Sequence, residues 1–269
     1  MNKLSKKYVL TTLILICSLI INGCVSQNPK ELGTKVTDAI KNINNGTFVS
    51  TTKIDLVSNN DTTSVDLSTK LTSTKEPYSI AGETSSKVIN ANGEENSNIA
   101  HFYFKNNELY YNENSNPGWT RYKGNLPINP EDTNSIITAI TKLAEIIQNY
   151  SSGFTLQKDG DNTVISFSGD GDEFKELFIA ILNMNNSYGN TSSATADNTE
   201  FKNVAVKYVV KSSDYTPVSA EFNMEVIDKN IKSSSMKLNQ TINFSNINST
   251  NEITIPTEVT NNVTQTIGN

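Results

Sequence analysis

The chain has 269 residues, a net charge of −6, two cysteines and a single histidine. An acidic chain repels nucleic acid and anionic membrane surfaces, so nucleic acid is excluded as a partner. One histidine excludes metal sites built on several histidines. The length is sufficient to bury a hydrophobic core without disulfide bonds.

Residues 1–23 have the plan of a secretory signal peptide. The segment 1–7 carries three lysines and no acid, and Tyr8 to Ile21 contains no charged residue. This apolar run is shorter than the about 20 residues of a membrane-spanning helix. Ile21-Asn22-Gly23-Cys24 resembles the lipobox of prokaryotic lipoproteins, with a branched apolar residue three positions before the cysteine. Asn22 departs from that pattern.

The lipobox resemblance implies that Cys24 carries a diacylglycerol and anchors the chain to the extracytoplasmic face of the cell membrane. Two acyl chains give stable membrane attachment. Cleavage would remove Cys17 and three lysines, taking the net charge to about −9 and leaving no free thiol. Disulfides, thiol catalysis and thiolate metal sites would then be excluded. The alternative is an uncleaved anchor helix with an incidental cysteine.

Behind a lipidated tether at residues 24–28, we expect a single domain at 29–260 and a flexible tail at 261–269. A helix is predicted to begin at Pro29, with Asn28 as its cap and Gly46 at its end. From Thr47 onward apolar residues alternate with polar ones, which is typical of antiparallel strands with one solvated face.

Further along the chain, three short aromatic strands are predicted between residues 99 and 124, joined by Asn-Asn and Asn-Pro-Gly turns. Two helices follow, one over 130–150 behind an Asn129 cap and one after Asp170, and then a mobile polar loop at 185–199. The second helix is expected to bury Phe174, Leu177, Phe178, Ile181 and Leu182.

Three long alternating strands close the chain, followed by "EITIP" as a last edge segment. Long strands curl because each carries a right-handed twist, so we predict a strongly curved antiparallel sheet, a half-open β-barrel in the α+β class, with helices on its concave face. Seven residues of these strands are candidates to line an apolar cavity: Val204, Val206, Tyr208, Phe222, Met224, Met236 and Leu238. An ordinary filled core would have the same alternation, and the sequence does not separate the two.

The order of these elements, together with Leu109-Tyr110, Trp119 and Ile253 to Pro256, resembles the LolA/LppX-type superfamily of lipoproteins. The resemblance implies a half-open barrel whose mouth is covered by helices. It also implies a cavity that holds acyl chains, since characterised relatives hold lipids or lipoproteins there. No catalytic residues come with the family.

Catalytic and metal-binding patterns are weak. His101 lies among aromatic strand residues, and no Gly-X-Ser-X-Gly elbow accompanies it. The stretch from Asp159 to Asn162 is interpreted as a hairpin turn and the one from Asp170 to Glu173 as a helix cap, because neither has the spacing of a calcium loop. We expect no cofactor, no metal and no enzymatic activity.

The sequence therefore favours a membrane-anchored surface lipoprotein that binds or carries a hydrophobic ligand, such as a lipid or acyl chain. The alternative is a non-enzymatic envelope interaction or scaffold module with a filled core, whose protein partner is unknown. A hydrolase that depends on His101 ranks last.

Overall fold

The computed structural model describes residues 28–59, 61–114, 116–124, 135–149, 153–170, 175, 199–229 and 234–268. Within these residues the helices are α1 (Pro29–Lys41), α2 (Ser135–Asn149) and α3 (Thr257–Asn261). The strands are β1 (Asn45–Ser58), β2 (Asp61–Lys75), β3 (Tyr78–Ile89), β4 (Glu95–Lys105), β5 (Glu108–Glu113), β6 (Trp119–Lys123), β7 (Thr155–Asp159), β8 (Asn162–Gly169), β9 (Thr199–Lys211), β10 (Pro217–Asp228), β11 (Ser234–Ser245) and β12 (Val263–Ile267).

These strands form a single unclosed sheet in the order β12-β6-β5-β4-β3-β2-β1-β11-β10-β9-β8-β7. Strands β1 to β6 and strands β7 to β11 each pair in chain order as antiparallel neighbours, and the first strand, β1, pairs with the late strand β11 at the centre. The predicted Asn-Asn turn between β4 and β5 is present, and Asn106 and Asn107 both have positive φ, which is the conformation of a type I′ turn. The predicted fold class, a large curved sheet with helices packed on one face, is confirmed.

Helix α1 begins as its sequence predicts and ends earlier. The Asn28 side chain accepts a hydrogen bond from the Lys30 backbone N–H at 3.0 Å, and Pro29 occupies the first turn. The helix ends at Lys41, with Asn42 as its C-cap, so the predicted end at Gly46 is wrong. Gly46 belongs to β1, where cross-strand pairing with β2 begins before the glycine.

The two faces of the sheet differ in what covers them. Phe48 of β1 lies opposite Leu71 of β2 and Phe244 of β11, and the face on which these side chains lie is called the helix face. Helices α1 and α2 join the hydrophobic core on that side, with Leu32 and Ile140 fully buried. Among the described residues, every strand member of that core has its side chain on the helix face. The opposite face is called the groove face.

Helices α1 and α2 contact each other closely. A Cβ added at Gly33 of α1 would lie 2.7 Å from the backbone nitrogen of Gln148 in α2. Only glycine allows the two backbones to approach to this distance. The pair therefore covers the helix face as one packed unit.

The C-terminal region departs from its predicted form. Residues 246–262, the C-terminal strap, run from the end of β11 to the far edge of the sheet, and Lys105 Nζ donates a 2.8 Å hydrogen bond to the carbonyl oxygen of Ile253 on the way. The segment "EITIP", which was predicted as a last edge segment, pairs with no described strand, although Ile253 is buried. Beyond the strap, Val263–Ile267 pairs with β6 as the parallel strand β12, in place of the flexible tail expected at 261–269.

Several predictions concern residues outside the described part of the chain. They are the signal peptide, the lipid anchor at Cys24, the stripe from Phe174 to Leu182 in the helix after Asp170, and most of the loop at 185–199. These remain predictions.

Candidate ligand sites on the two faces of the sheet

The seven residues predicted to line a cavity all lie on the helix face, on β9, β10 and β11. Six are buried: Val204, Val206, Tyr208, Phe222, Met224 and Leu238. The seventh, Met236, is half-buried against the same core. The structure therefore brings the predicted residues together, within one hydrophobic cluster that also contains α1 and α2.

Burial on the helix face decreases along β1 and β11. Near the helices, Phe48 and Ile242 are buried. Towards the other end of the same strands, Ile54 and Met236 are half-buried, and Leu56 is 42% exposed. Leu56 and Met236 are cross-strand partners, so these three residues form one apolar end of the face. This end is called the apolar mouth.

Three buried polar atoms on the helix face have no hydrogen-bond partner among the described residues: Asn98 Oδ1, Tyr208 Oη and Gln240 Oε1. The Gln240 side-chain nitrogen donates to the hydroxyls of Ser50 at 3.3 Å and Thr52 at 3.1 Å, but its Oε1 atom is unpaired. The Tyr208 hydroxyl is also unpaired, and burial raises the pKa of this phenol. Each unpaired buried group costs about 1–3 kcal/mol.

The groove face carries a hollow of about 600 Å³ that crosses β10, β11, β1, β2, β3 and β4. On β11, Asn239 and Thr241 line this groove and flank Gln240, whose side chain lies on the helix face. Side chains alternate along a strand, so the groove lies on the side of the sheet opposite the helices. A strongly twisted sheet is saddle-shaped and therefore has a hollow on each face.

Beside the groove, the same face carries an aromatic pair and a charged cluster. The rings of Tyr103 on β4 and Trp119 on β6 lie 5.7 Å apart. Glu108 accepts hydrogen bonds from Arg121, at 2.6 and 3.1 Å, and from the Tyr110 hydroxyl at 3.0 Å. The Arg121 hydrogen bonds hold the pKa of Glu108 below its ordinary value, while burial acts in the opposite direction.

His101 lies on the groove face next to Glu83 of β3, with 3.3 Å between Nδ1 and Oε2. Asp159 to Asn162 forms the turn between β7 and β8, with Gly160 at positive φ. In the described part of the chain, no three His, Cys, Asp or Glu side chains are grouped to hold a metal ion. No described helix is both long enough and apolar enough to cross a membrane.

Sequence reasoning missed the groove. The residues that line it, such as Thr51, Ser68 and Ser85, are interpreted from sequence as the solvated side of alternating strands, which they also are. A solvated face becomes a groove only through the curvature of six neighbouring strands. The one available signal is Ile99, an apolar residue that is 43% exposed among the otherwise polar side chains that line the groove on this face.

The fold and its groove define a class: proteins with a large unclosed sheet, one face packed against helices and the other carrying a polar groove. The chain belongs to DUF6612, a family of unknown function whose model matches residues 28–264.

Among solved structures, the chain is similar to LprF from Mycobacterium bovis, with 13% identity, 88% of this chain and 100% of that chain covered, and a TM-score of 0.42. A DUF1329 family protein from Desulfovibrio piger has 7% identity over 80% of this chain and 91% of its own, with a TM-score of 0.25. Both likenesses are too distant to carry an argument. No curated protein is similar enough to the chain to count as a match.

Proposed function

We propose that this protein is a lipid-anchored envelope protein, related to the LolA/LppX-type lipoproteins, that binds an acyl chain or another hydrophobic ligand on the helix face. The observation that carries the proposal is the apolar mouth formed by Ile54, Leu56 and Met236. It continues the buried core into solvent at one end of the helix face. An exposed apolar surface next to a core is typical of a ligand-binding site.

The unpaired polar atoms further specify the ligand. The Tyr208 hydroxyl can donate a hydrogen bond and the Gln240 Oε1 atom can accept one. They lie two strands apart on the helix face, about 10 Å at the usual strand spacing. An amphipathic molecule with an acceptor for the Tyr208 hydroxyl, a donor for Gln240 Oε1 and an apolar chain towards the mouth would satisfy both.

The membrane anchor is a separate part of the proposal. Diacylglycerol on Cys24 would hold the domain at the extracytoplasmic surface, where a lipid ligand is available. The four residues between Cys24 and the first turn of α1 give a short tether. A Cys24→Ala variant is expected to be released from the membrane fraction, and unchanged attachment would favour an uncleaved anchor helix.

The ligand-binding proposal is tested with residues 25–269, produced without the signal peptide and examined by native mass spectrometry after incubation with mixed phospholipid vesicles. We expect the wild-type chain to retain lipid. Leu56→Lys, which places a charge in the apolar mouth, is expected to lose most of it. The matched control is Ile267→Lys on the edge strand β12, because Ile267 is 38% exposed and lies far from the mouth. A wild-type chain that retains no lipid, or equal retention in both variants, would overturn the proposal.

A second function, an interaction module with a filled core, is supported by a different observation. Six of the seven candidate lining residues are fully packed in one cluster with α1 and α2. If no lipid is retained, the interaction-module function gains support. Chemical crosslinking on intact cells would then identify the partner protein.

A further inference from the structure

We propose that the groove on the groove face binds an uncharged glycan chain laid across β10, β11, β1, β2, β3 and β4. This site lies on the side of the sheet opposite the apolar mouth, so it is independent of lipid binding. The chemistry of the lining, its charge balance and its dimensions all favour this ligand.

The lining is made of hydrogen-bonding groups. Twelve side chains reach the groove from the groove face, of which seven belong to Ser, Thr or Asn and only Ile99 is apolar. Asn223 of β10 and Asn239 of β11 are cross-strand partners, and both are exposed. Hydroxyl and amide groups can donate and accept at the same position, which is what a ligand covered with hydroxyl groups requires.

The charges in the groove balance one another. Lys53, Asp66 and Lys87 are neighbours across β1, β2 and β3, so opposite charges alternate along this row. Glu221 pairs with Lys207 of β9 at 3.3 Å. The groove therefore has no net charge that would select a phosphate-rich or acidic polymer, and a neutral ligand fits it best.

The dimensions suit an extended chain. Six strands at the usual spacing span about 24 Å, and the hollow has a volume of about 600 Å³. Tyr103 follows Ile99 on the same strand and face, about 13 Å further along, and its ring packs against Trp119. Aromatic rings stack against the apolar faces of sugar rings, so this pair, which lies beside the groove lining, would contact a chain that continues along β4.

Other occupants fit less well. A site for an acyl chain is lined mainly by hydrophobic side chains, whereas this one has a single isoleucine. The core of a protein–protein interface is enriched in aromatic residues and methionine and depleted in charge. The groove has four charged side chains and no aromatic residue among its lining.

The test uses the full chain in detergent and four neutral probes: cellotetraose, maltotetraose, mannotetraose and chitotetraose. Binding is measured by titration calorimetry and by the fluorescence of Trp119, the chain's only tryptophan. We expect at least one probe to bind with a Kd of about 1 mM or tighter, and tetragalacturonate, an acidic probe, to bind more weakly. No neutral probe binding at this strength, or tighter binding of the acidic probe, would overturn the proposal.

A matched pair of variants locates the site. Asn239→Leu removes an amide from the groove and is expected to weaken binding about fivefold or more, as for the loss of one hydrogen bond. Asn243→Leu, on the same strand and face but outside the groove, is expected to stay within about twofold of wild type. Equal affinity of the two variants for the glycan would contradict the assignment of the binding site to the groove. Lipid retention should be unchanged in both, so failure of the glycan site and failure of the lipid site are distinguishable.

Discussion

The two faces of this sheet are built from the same strands and differ in how they satisfy their polar groups. On the groove face, Glu108 is paired with Arg121 and with the Tyr110 hydroxyl. On the helix face, the Tyr208 hydroxyl and Gln240 Oε1 are buried without a partner. A buried unpaired group is expensive, whereas a polar group at a solvated surface is not. The helix face thus carries buried polar groups without partners, whereas the carboxylate of Glu108 on the groove face is paired.

The largest expected difference between the faces is in packing. Phe222 and Asn223 are consecutive on β10, and their side chains lie on opposite faces. Phe222→Ala would leave a cavity in the core and is expected to lower the free energy of unfolding by about 3–5 kcal/mol. Asn223→Ala should change it by no more than about 0.5 kcal/mol. Urea unfolding followed by circular dichroism measures both, and similar losses would mean that the two faces are not packed differently.

The alternation of residues was enough to predict which face is buried. Phe48, Ile54 and Leu56 share a parity in the sequence and also share the helix face. The same holds for the candidate residues of β9 to β11, because a period of two places them on one side. The alternation does not specify the curvature of the sheet. The groove depends on the combined twist of six strands, and no local pattern specifies that.

The C-terminal end of the chain was harder to predict for a related reason. The strand β12 contains Thr-Gln-Thr and no apolar alternation, and its ladder with β6 joins residues more than 140 positions apart. Pairing of this kind is fixed by the path of the strap, which is anchored by Lys105 and by buried Ile253. The strand propensity of these residues has little influence on the pairing, because the exposed edge of β6 supplies the backbone hydrogen bonds.

A smaller and opposite pair of effects is expected at two buried tyrosines, one on each face. Tyr208→Phe removes an unpaired hydroxyl, so the ligand-free protein should keep its Tm or gain a few degrees while retaining less lipid. Tyr110→Phe removes the hydrogen bond to Glu108 and should lower the Tm. Differential scanning fluorimetry of delipidated protein compares them. A loss of stability in Tyr208→Phe would show that its hydroxyl is already paired.

The smallest expected effect concerns the pH dependence of the groove face. Hydrogen bonds from Arg121 lower the pKa of Glu108 below its ordinary value of 4.5. The folded state therefore binds this proton more weakly than the unfolded state, and the resulting stability is present above pH 4.5 and lost as the pH falls through the lowered pKa.

Glu108→Gln should be less stable than wild type at pH 7, and the difference in the free energy of unfolding between the two proteins should disappear on acidification. Arg121→Gln should reduce this pH dependence, because it removes the main cause of the shift. A gap between wild type and Glu108→Gln that stays constant from pH 7 to acid would mean that shape and neutral hydrogen bonds, rather than the carboxylate charge, stabilise this cluster.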